Sequence, residues 1–353
     1  MQYEYSATQD FWLQEAMFAK DKKNYLPQWR KHYETSDRSL VDQFDFIPNS
    51  SDALNNLPAL SFILRVPFKL KKPYLSKDDR SFHLLDNPVR KDKVFKTPMV
   101  SSTSWKGALR AALWQLGHKE ENEQIIRLFG NEREQEDHKK LKSGRLYFYP
   151  TFFDKIDKQK QLEVINPHDR KKGTSARGPI YLECVPKNST GELVILYVPF
   201  GTVEKSQVIE DLELVVQGVK EMLTVYGFGA KTSSGFGIVE DQLDSQGELA
   251  IRGDIPELKK KLEFLNDDGT LKQEFVNNDG SFRTESQYKK SLQKQNISHN
   301  PKLYKEAKQW YEENKQKIGS SSDFMTEVRF NKLSELGDRA KEIAVHLCNG
   351  VQV

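Results

Sequence analysis

Residues 86–110, DNPVRKDKVFKTPMVSSTSWKGALR, hold the strongest structural signal in the chain. The four consecutive hydroxyl residues at 101–104 are good N-cap residues, which satisfy free backbone N–H groups at the start of a helix. Apolar residues then recur at the spacing of one helical face: Trp105, Leu109, Ala112, Leu113 and Leu116. The pattern predicts a helix from Ser104 to about Leu116.

The same helix carries two cations, Lys106 and Arg110, which are four residues apart and therefore side by side. A helix N-terminus that combines free N–H donors, hydroxyls and adjacent cations is suited to holding a phosphate group. The alternative is an ordinary amphipathic helix whose cations are only solvated.

Composition and charge indicate a polyanionic partner. The chain has 353 residues, enough for one large or two ordinary domains, with 37% hydrophobic and 30% charged residues. This composition predicts a large wetted surface, extensions or a partner. The net charge of +3 says little, but residues 65–110 contain twelve basic and only four acidic residues. Such a local excess is typical of polyanion binding.

Cysteine usage and hydropathy predict a cytoplasmic protein without membrane contact. The two cysteines, Cys184 and Cys348, give neither a disulfide framework nor zinc-ligand spacing. We expect no structural metal, because histidines and cysteines are not grouped. No apolar run approaches the roughly 18 residues of a membrane span, and no signal peptide is evident.

The order of predicted elements is typical of an α+β fold with a ferredoxin-like, RRM-like βαββαβ core. In chain order the elements are a strand (60–70), the helix above, a strand (144–150), a strand hairpin (180–185 and 193–200), a helix (208–223) and a strand (236–239). We expect an N-terminal extension (1–58), a core (59–240) and a helical C-terminal extension (241–353). Pro67 predicts an edge or a bulge in the first strand.

A glycine-rich stretch at 226–237, YGFGAKTSSGFG, is the second outstanding feature. Its glycines allow close approach of a ligand, and its N–H groups could form an anion nest around Lys231, Thr232 and Ser233. It is not a Walker A loop, because Ala230 replaces a glycine and the loop leads from a helix into a strand. The alternative is a tight connector over the sheet.

Two further polar segments have both a functional and a structural interpretation. Asp86 lies before Asn87-Pro88, a pattern that commonly builds turns. His168, Arg170 and Lys171 predict a phosphate-contacting finger, or equally a solvated loop.

Taken in order, these motifs resemble the RAMP superfamily, and specifically the repeated backbone subunits of type III CRISPR effector complexes. The resemblance covers about residues 60–240 and rests on Asp86-Asn87-Pro88-Val89, residues 98–110, Leu128-Phe129-Gly130, Gly144-Arg145-Leu146 and residues 227–237. The chain departs from the pattern at Ser101-Ser102, which replace Pro-Gly. It departs again at Lys71-Lys72-Pro73-Tyr74, which stands where a glycine-rich loop is expected.

The resemblance implies a role for each motif. Asp86 matches an RNA-cleaving aspartate, and residues 164–178 match the thumb, an insertion around 154–178 that separates pieces of the guide–target duplex. The implied RNA-binding residues are Thr103, Ser104, Lys106, Arg110, His168, Arg170, Lys171, Lys231, Thr232 and Ser233. The implied partners are guide (CRISPR) RNA, target RNA and other RAMP-type subunits. A divalent cation, Mg²⁺, is the expected cofactor for cleavage.

The resemblance therefore favours a subunit that binds guide RNA and cleaves the paired target RNA. Asp86 would act as a base for a 2′-hydroxyl or would hold the cation. Two alternatives remain: a non-catalytic capping or scaffold subunit of the same complex, and a guide-RNA-processing endoribonuclease.

Overall fold

The computed structural model describes residues 22–25, 27, 41, 44, 46–47, 50–77, 85, 87–131, 142–157, 160–165, 179–201, 203–253, 264, 266, 271–277, 280–294, 299–314 and 325–349. Within them the protein is a mixed α/β structure built on a central antiparallel sheet. No helix in the described part of the chain combines the length and the apolarity needed to cross a membrane.

The described strands form one large sheet and two small ones. In chain order they are β1 (Phe62–Lys69), β2 (Met99–Val100), β3 (Leu146–Phe148), β4 (Thr151–Phe152), β5 (Leu162–Ile165), β6 (Ile180–Glu183), β7 (Thr190–Tyr197), β8 (Gln242–Arg252) and β9 (Met325–Lys332). The large sheet has the order β3-β7-β1-β8-β9, and every neighbouring pair is antiparallel. Strand β2 pairs with β4, and β5 pairs with β6.

The described helices lie between and after these strands. They are α1 (Ser50–Leu54), α2 (Ser102–Gln115), α3 (Glu123–Phe129), α4 (Lys205–Glu221), α5 (Glu285–Lys294), α6 (Pro301–Asn314) and α7 (Leu333–Asn349). A π-helical turn, Met222–Tyr226, continues α4. A 3-10 turn, Thr232–Ser234, lies in the glycine-rich stretch.

Strand β1 is buried on both faces, which explains its nearly continuous apolar sequence. Alternate residues such as Phe62 and Phe68 enter the main core, which α2, α4 and α7 cover. Ile63 points to the opposite face, where it packs with Leu54 of α1. Pro67 faces Glu192 of β7 but lies beyond the residues that pair with β8, Phe62–Arg65. Its missing N–H therefore removes no bond to β8.

A buried ionic network ties two helices to the sheet. Asp211 of α4 is fully buried, and its carboxylate accepts two hydrogen bonds from Arg127 of α3, at 2.9 Å from Nε and 2.7 Å from Nη2. It also accepts the Tyr197 hydroxyl at 2.8 Å, and Arg145 donates to that hydroxyl at 3.0 Å. The Asp211 hydrogen bond raises the pKa of Arg127. The four side chains together satisfy a charge that would otherwise be costly to bury.

Two sequence predictions about the strands are corrected by the structure. The expected hairpin between 180–185 and 193–200 does not form, because β6 pairs with β5 while β7 pairs with β1 and β3. Pro186 and the positive φ of Asn188 end the β6 segment between the two sheets. The strand expected at 236–239 is reduced to a single bridge between Val239 and Leu70, and the sheet strand is β8.

The region after Asp241, predicted to be helical, contributes both strands and helices. Strands β8 and β9 extend the sheet, and α7 packs on α4 and β9. Between them, α5 and α6 share a separate aromatic cluster that includes Phe275, Tyr288 and Tyr304.

Candidate nucleic-acid interface

The N-terminus of α2 is capped by hydroxyl groups, as the sequence predicted. The helix begins at Ser102, two residues earlier than expected, and Ser101 is its N-cap. The Ser101 Oγ accepts a hydrogen bond from the Ser104 N–H at 3.3 Å. It also lies 3.1 Å from Thr103 Oγ1 and 2.8 Å from Ser104 Oγ. Thr103 and Ser104 are exposed, so their hydroxyls are accessible to a ligand.

The two predicted cations of α2 lie on its partly exposed side. Lys106 is half-buried. Arg110 Nη1 is 3.7 Å from Glu120 Oε1, and the Arg110 guanidinium carbon is 5.1 Å from the Trp114 ring centroid. The Arg110 side chain remains 37% exposed. An exposed ion pair at this distance contributes little, so a phosphate could replace Glu120 at small cost.

The opposite side of the same helix is anchored in the core by Trp105. Its ring is fully buried, and Nε1 donates to Thr151 Oγ1 at 2.9 Å. The Thr151 hydroxyl in turn donates to the Glu192 carbonyl at 2.5 Å. The first turn of α2 is therefore fixed to β4 and β7, while its hydroxyls face outward.

Glycines in the 226–237 stretch are required by close backbone contacts. A Cβ added to Gly229 would lie 2.3 Å from the Leu75 carbonyl oxygen, and one added to Gly237 would lie 1.9 Å from that of Phe228. Both glycines also have positive φ. The interpretation of the stretch as a tight connector over the sheet thus explains why glycine is needed at positions 229 and 237. Gly235 has positive φ but open space around its Cβ position.

The centre of the glycine-rich stretch is an exposed turn. Lys231 has left-handed backbone geometry, with φ 59° and ψ 33°, and its side chain is exposed. The 3-10 turn Thr232–Ser234 follows, and Ser233 is exposed while Thr232 is half-buried. Cation and hydroxyls are therefore presented together at the surface.

The structure brings the α2 N-terminus and the glycine-rich stretch together. Phe228 is buried, and its ring centroid lies 4.5 Å from that of Trp105. It also lies 5.4 Å from Tyr74 and 5.6 Å from Phe68. The α2 N-terminus and the glycine-rich stretch, which are far apart in sequence, thus share one buried aromatic cluster.

Residues 70–76, which follow β1, connect these two polar segments. The Lys71 and Lys72 N–H groups both donate to the Ile238 carbonyl, at 2.8 and 3.1 Å. At the other end the Arg90 N–H donates to Ser76 Oγ at 2.7 Å, and Arg90 Nη1 donates to Ser101 Oγ at 3.1 Å. Sequence reasoning missed this role of Arg90, because nothing local marks an arginine as a partner of a helix cap.

Asp86, the predicted catalytic residue, lies outside the described residues, but the chain that follows it is fixed by Glu183 of β6. Glu183 Oε2 accepts the Val89 N–H at 2.9 Å, and Oε1 pairs with Lys91 Nζ at 2.7 Å. The Glu183 N–H donates to the Asn87 carbonyl at 3.1 Å. Sequence reasoning did not identify Glu183, because its partners lie more than ninety residues away.

The predicted thumb residues His168, Arg170 and Lys171 also lie outside the described residues. Among the described residues, no three His, Cys, Asp or Glu side chains are grouped as metal ligands. The buried carboxylate of Glu183 already accepts the Val89 N–H and pairs with Lys91. The described side chains therefore do not form a protein cage for a cation.

Two buried groups beside this surface have shifted pKa values. Burial raises the pKa of Tyr74 to about 12. Burial, with the nearby carboxylates of Glu163 and Glu183, also raises the pKa of the Cys184 thiol. Both groups are therefore neutral near pH 7, and Cys184 is not a reactive thiolate.

Comparison with known proteins finds a matching family model, a curated relative and similar solved structures. The family model described as the RAMP superfamily matches residues 37–240. A Streptococcus thermophilus protein named CRISPR system Cms endoribonuclease Csm3 is 27% identical over 168 residues, which is 44% of this chain and 74% of that protein. A chain in the cryo-EM structure of the Type III-B Cmr-beta bound to cognate target RNA matches with a TM-score of 0.38 and 18% identity. That match covers 51% of this chain and 58% of the solved one, so less than two thirds of its length is spanned.

Proposed function

Because this chain belongs to the RAMP superfamily, we propose that it is an RNA-binding subunit of a type III CRISPR effector complex. Its partners would be a guide RNA, the target RNA paired with it, and other RAMP-type subunits. The family match includes both the α2 N-terminus and the glycine-rich stretch. The name of the Streptococcus thermophilus relative supports a place in a CRISPR system.

The observation that carries the proposal is the packing of Phe228 on Trp105, with ring centroids 4.5 Å apart. This packing supports the proposal because it joins the α2 N-terminus, which carries the exposed Thr103 and Ser104, to the stretch that carries the exposed Lys231. Hydroxyls and cations of this kind bind the ribose–phosphate chain and carry no sequence information. Sequence would be read by base pairing between guide and target, as in other RNA-guided systems.

We also propose the finer architecture expected from the sequence. The strand order β8-β1-β7-β3 supports a ferredoxin-like core, to which β9 adds a fifth strand. The antiparallel pairing of β5 with β6 supports the thumb expected around 154–178, because the two paired strands flank residues 166–178 in the chain.

The proposed reaction is cleavage of target RNA at the nucleotide beside Asp86. A 2′-hydroxyl aligned with the adjacent phosphate would attack the phosphorus atom and lose its proton, and the 5′-oxygen of the next nucleotide would leave and take up a proton. The products are a 2′,3′-cyclic phosphate and a 5′-hydroxyl. Asp86 would accept the hydroxyl proton or hold a divalent cation. Mg²⁺, when bound with the RNA phosphates as further ligands, would neutralise charge at phosphorus.

To test this proposal, we would reconstitute the complex with guide RNA and the other subunits and incubate it with labelled target RNA. We expect Asp86→Ala to abolish cleavage beside this subunit and to leave guide and target binding unchanged. Asp338→Ala, at an exposed position on α7, is the matched control and should cleave as the wild type does. Unchanged cleavage by Asp86→Ala would refute the catalytic role.

Two measurements, one on the reconstituted complex and one on the isolated chain, distinguish the alternatives. A wild-type complex that binds target RNA but leaves it intact beside this subunit would indicate a capping or scaffold subunit. Cleavage of repeat-containing RNA by the isolated chain would indicate a guide-processing endoribonuclease.

A further inference from the structure

Three exposed lysines near the end of β1 are not among the RNA-binding residues that the sequence motifs predicted. Lys71 and Lys72 lie one residue beyond the end of β1 at Lys69, after Leu70, and both are exposed. Lys187, in the turn before β7, is also exposed. Lys71 and Lys72 contribute to the basic excess of residues 65–110, but no specific RNA contact was predicted for any of the three.

Backbone hydrogen bonds hold the segments that carry these lysines side by side. On one side of residues 70–72, the Leu70 N–H donates to the Ser189 carbonyl at 2.9 Å, and the Asn188 N–H donates to the Leu70 carbonyl at 2.9 Å. On the other side, Lys71 and Lys72 donate to Ile238, at the end of the glycine-rich stretch. Three backbone segments therefore lie next to one another, at the spacing of about 4.8 Å that is normal for paired strands.

The charge on this surface is mainly positive. The carboxylate on these three segments, residues 70–76, 187–190 and 226–240, is that of Glu240, which is half-buried. Asp154 lies beside Thr190 on a neighbouring segment, and its Oδ1 accepts the Lys155 N–H at 2.7 Å. The third segment is the glycine-rich stretch, which carries Lys231. It lies beside residues 70–76, because the Ala230 N–H donates to the Leu75 carbonyl at 2.7 Å. The lysines therefore continue the cationic surface of the glycine-rich stretch across the end of β1.

We propose that Lys71, Lys72 and Lys187 form a further phosphate-binding site for the ribose–phosphate chain of the guide RNA. This inference rests on the proposed function and names additional residues of the same RNA surface. Lysine suits this role, because its ammonium group is a point charge on a flexible stem that can follow a phosphate chain without reading bases. Each such contact releases counterions, which makes its contribution dependent on salt.

The experiment measures binding of the full chain to labelled single-stranded RNA of guide length by fluorescence anisotropy at several salt concentrations. We compare wild type with Lys71→Gln/Lys72→Gln/Lys187→Gln, and with the charge-preserving triple variant to Arg. Lys119→Gln/Lys332→Gln/Lys341→Gln is the control, since it removes the same charge from exposed positions elsewhere.

We expect the Gln variant to bind at least tenfold more weakly, and its slope of log affinity against log salt to fall by about 2, because each phosphate contact contributes roughly 0.7. The Arg variant and the control should keep the wild-type slope, and all variants should melt as the wild type does. A wild-type slope in the Gln variant, or an equal fall in the control, would overturn the inference.

Lys106→Gln/Arg110→Gln separates this inference from the proposed function. If that variant loses affinity while the Lys71, Lys72 and Lys187 variant does not, only the further site is wrong. If the wild-type chain binds no RNA, the proposed function fails as well.

Discussion

The rings of Trp105 and Phe228 pack with centroids 4.5 Å apart and an interplanar angle of 41°, although the two residues are more than a hundred positions apart in sequence. Trp105 belongs to the first turn of α2, and Phe228 lies between two glycines of the glycine-rich stretch. Neither ring is exposed. The packing of this pair thus fixes the α2 N-terminus relative to the glycine-rich stretch. It explains why each of these two polar segments contains a large buried aromatic residue.

Truncation of Phe228 should therefore destabilise the protein. Phe228→Ala removes a ring that touches Phe68, Tyr74 and Trp105, and leaves a cavity among them. We expect the free energy of unfolding to fall by about 3–5 kcal/mol, measured by urea denaturation. Tyr147→Ala, at a ring that is 48% exposed, should change it by less than about 1 kcal/mol. Equal losses in both variants would contradict the assigned role of Phe228.

Substitution of Lys231 by glycine should raise the stability of the protein and weaken its binding to RNA. Its backbone is left-handed, whereas the other positive-φ residues in 226–240, a fully described range, are glycines. Left-handed geometry costs a side-chain-bearing residue roughly 1–2 kcal/mol, and the greater unfolded-state freedom of glycine offsets part of that. We expect Lys231→Gly to raise the melting temperature slightly and to weaken RNA binding severalfold.

Lys231→Asn is the control for that experiment, because asparagine tolerates left-handed geometry. It should be at least as stable as the wild type and should also bind RNA more weakly. A Lys231→Gly variant that melts below the wild type, or that binds RNA equally well, would contradict one half of the prediction.

The buried Asp211 should be essential for stability. Asp211→Asn removes the fully buried anion that accepts hydrogen bonds from the Arg127 guanidinium and the Tyr197 hydroxyl, and we expect a loss of about 3–5 kcal/mol. The adjacent Glu210 provides the control, since it is 64% exposed and lies 3.8 Å from the same guanidinium. Glu210→Gln should cost at most about 1 kcal/mol by denaturant titration. A mild effect of Asp211→Asn would show that the network is dispensable.

Tyr74 gives a prediction for alkaline pH. Burial raises its pKa from the ordinary value near 10 to about 12, so the folded state disfavours the tyrosinate. The associated stability, about 2–3 kcal/mol, is fully present below pH 10 and is lost as the pH rises from 10 to 12. Tyr74→Phe should therefore lose less stability than the wild type across this range. Parallel pH profiles for the two proteins would contradict the prediction.

The sequence predicted those features whose signal is local. The 3.6-residue period located α2 and its buried residues, because one face of that helix packs on the sheet. The apolar run located β1, which is covered on both sides. The glycine-rich stretch was located by composition alone, and two of its glycines are needed because backbone segments approach too closely for a Cβ.

Features that depend on distant partners could not be predicted in this way. The sequence did not predict strand β8, because the first half of the strand is mainly polar and exposed. Its pairing with β9 is also irregular between Gln242 and Gly247. The pairing of β5 with β6 was not predicted either, because the segment of β6 was expected to form a hairpin with residues 193–200. The role of Glu183 follows only from the position of β6 beside residues 87–91, which no spacing in the sequence encodes.

The placement of β9 at the edge of the sheet has a consequence for biosynthesis. Strand β8 ends at Arg252 and its neighbour begins at Met325, so the ribosome must add more than seventy residues before the pair can form. At about 5–20 residues per second this takes several seconds, during which the outer edge of β8 has no native neighbour. An unpaired strand edge readily recruits other chains, so the nascent protein is prone to association until β9 has been synthesised and has paired with β8.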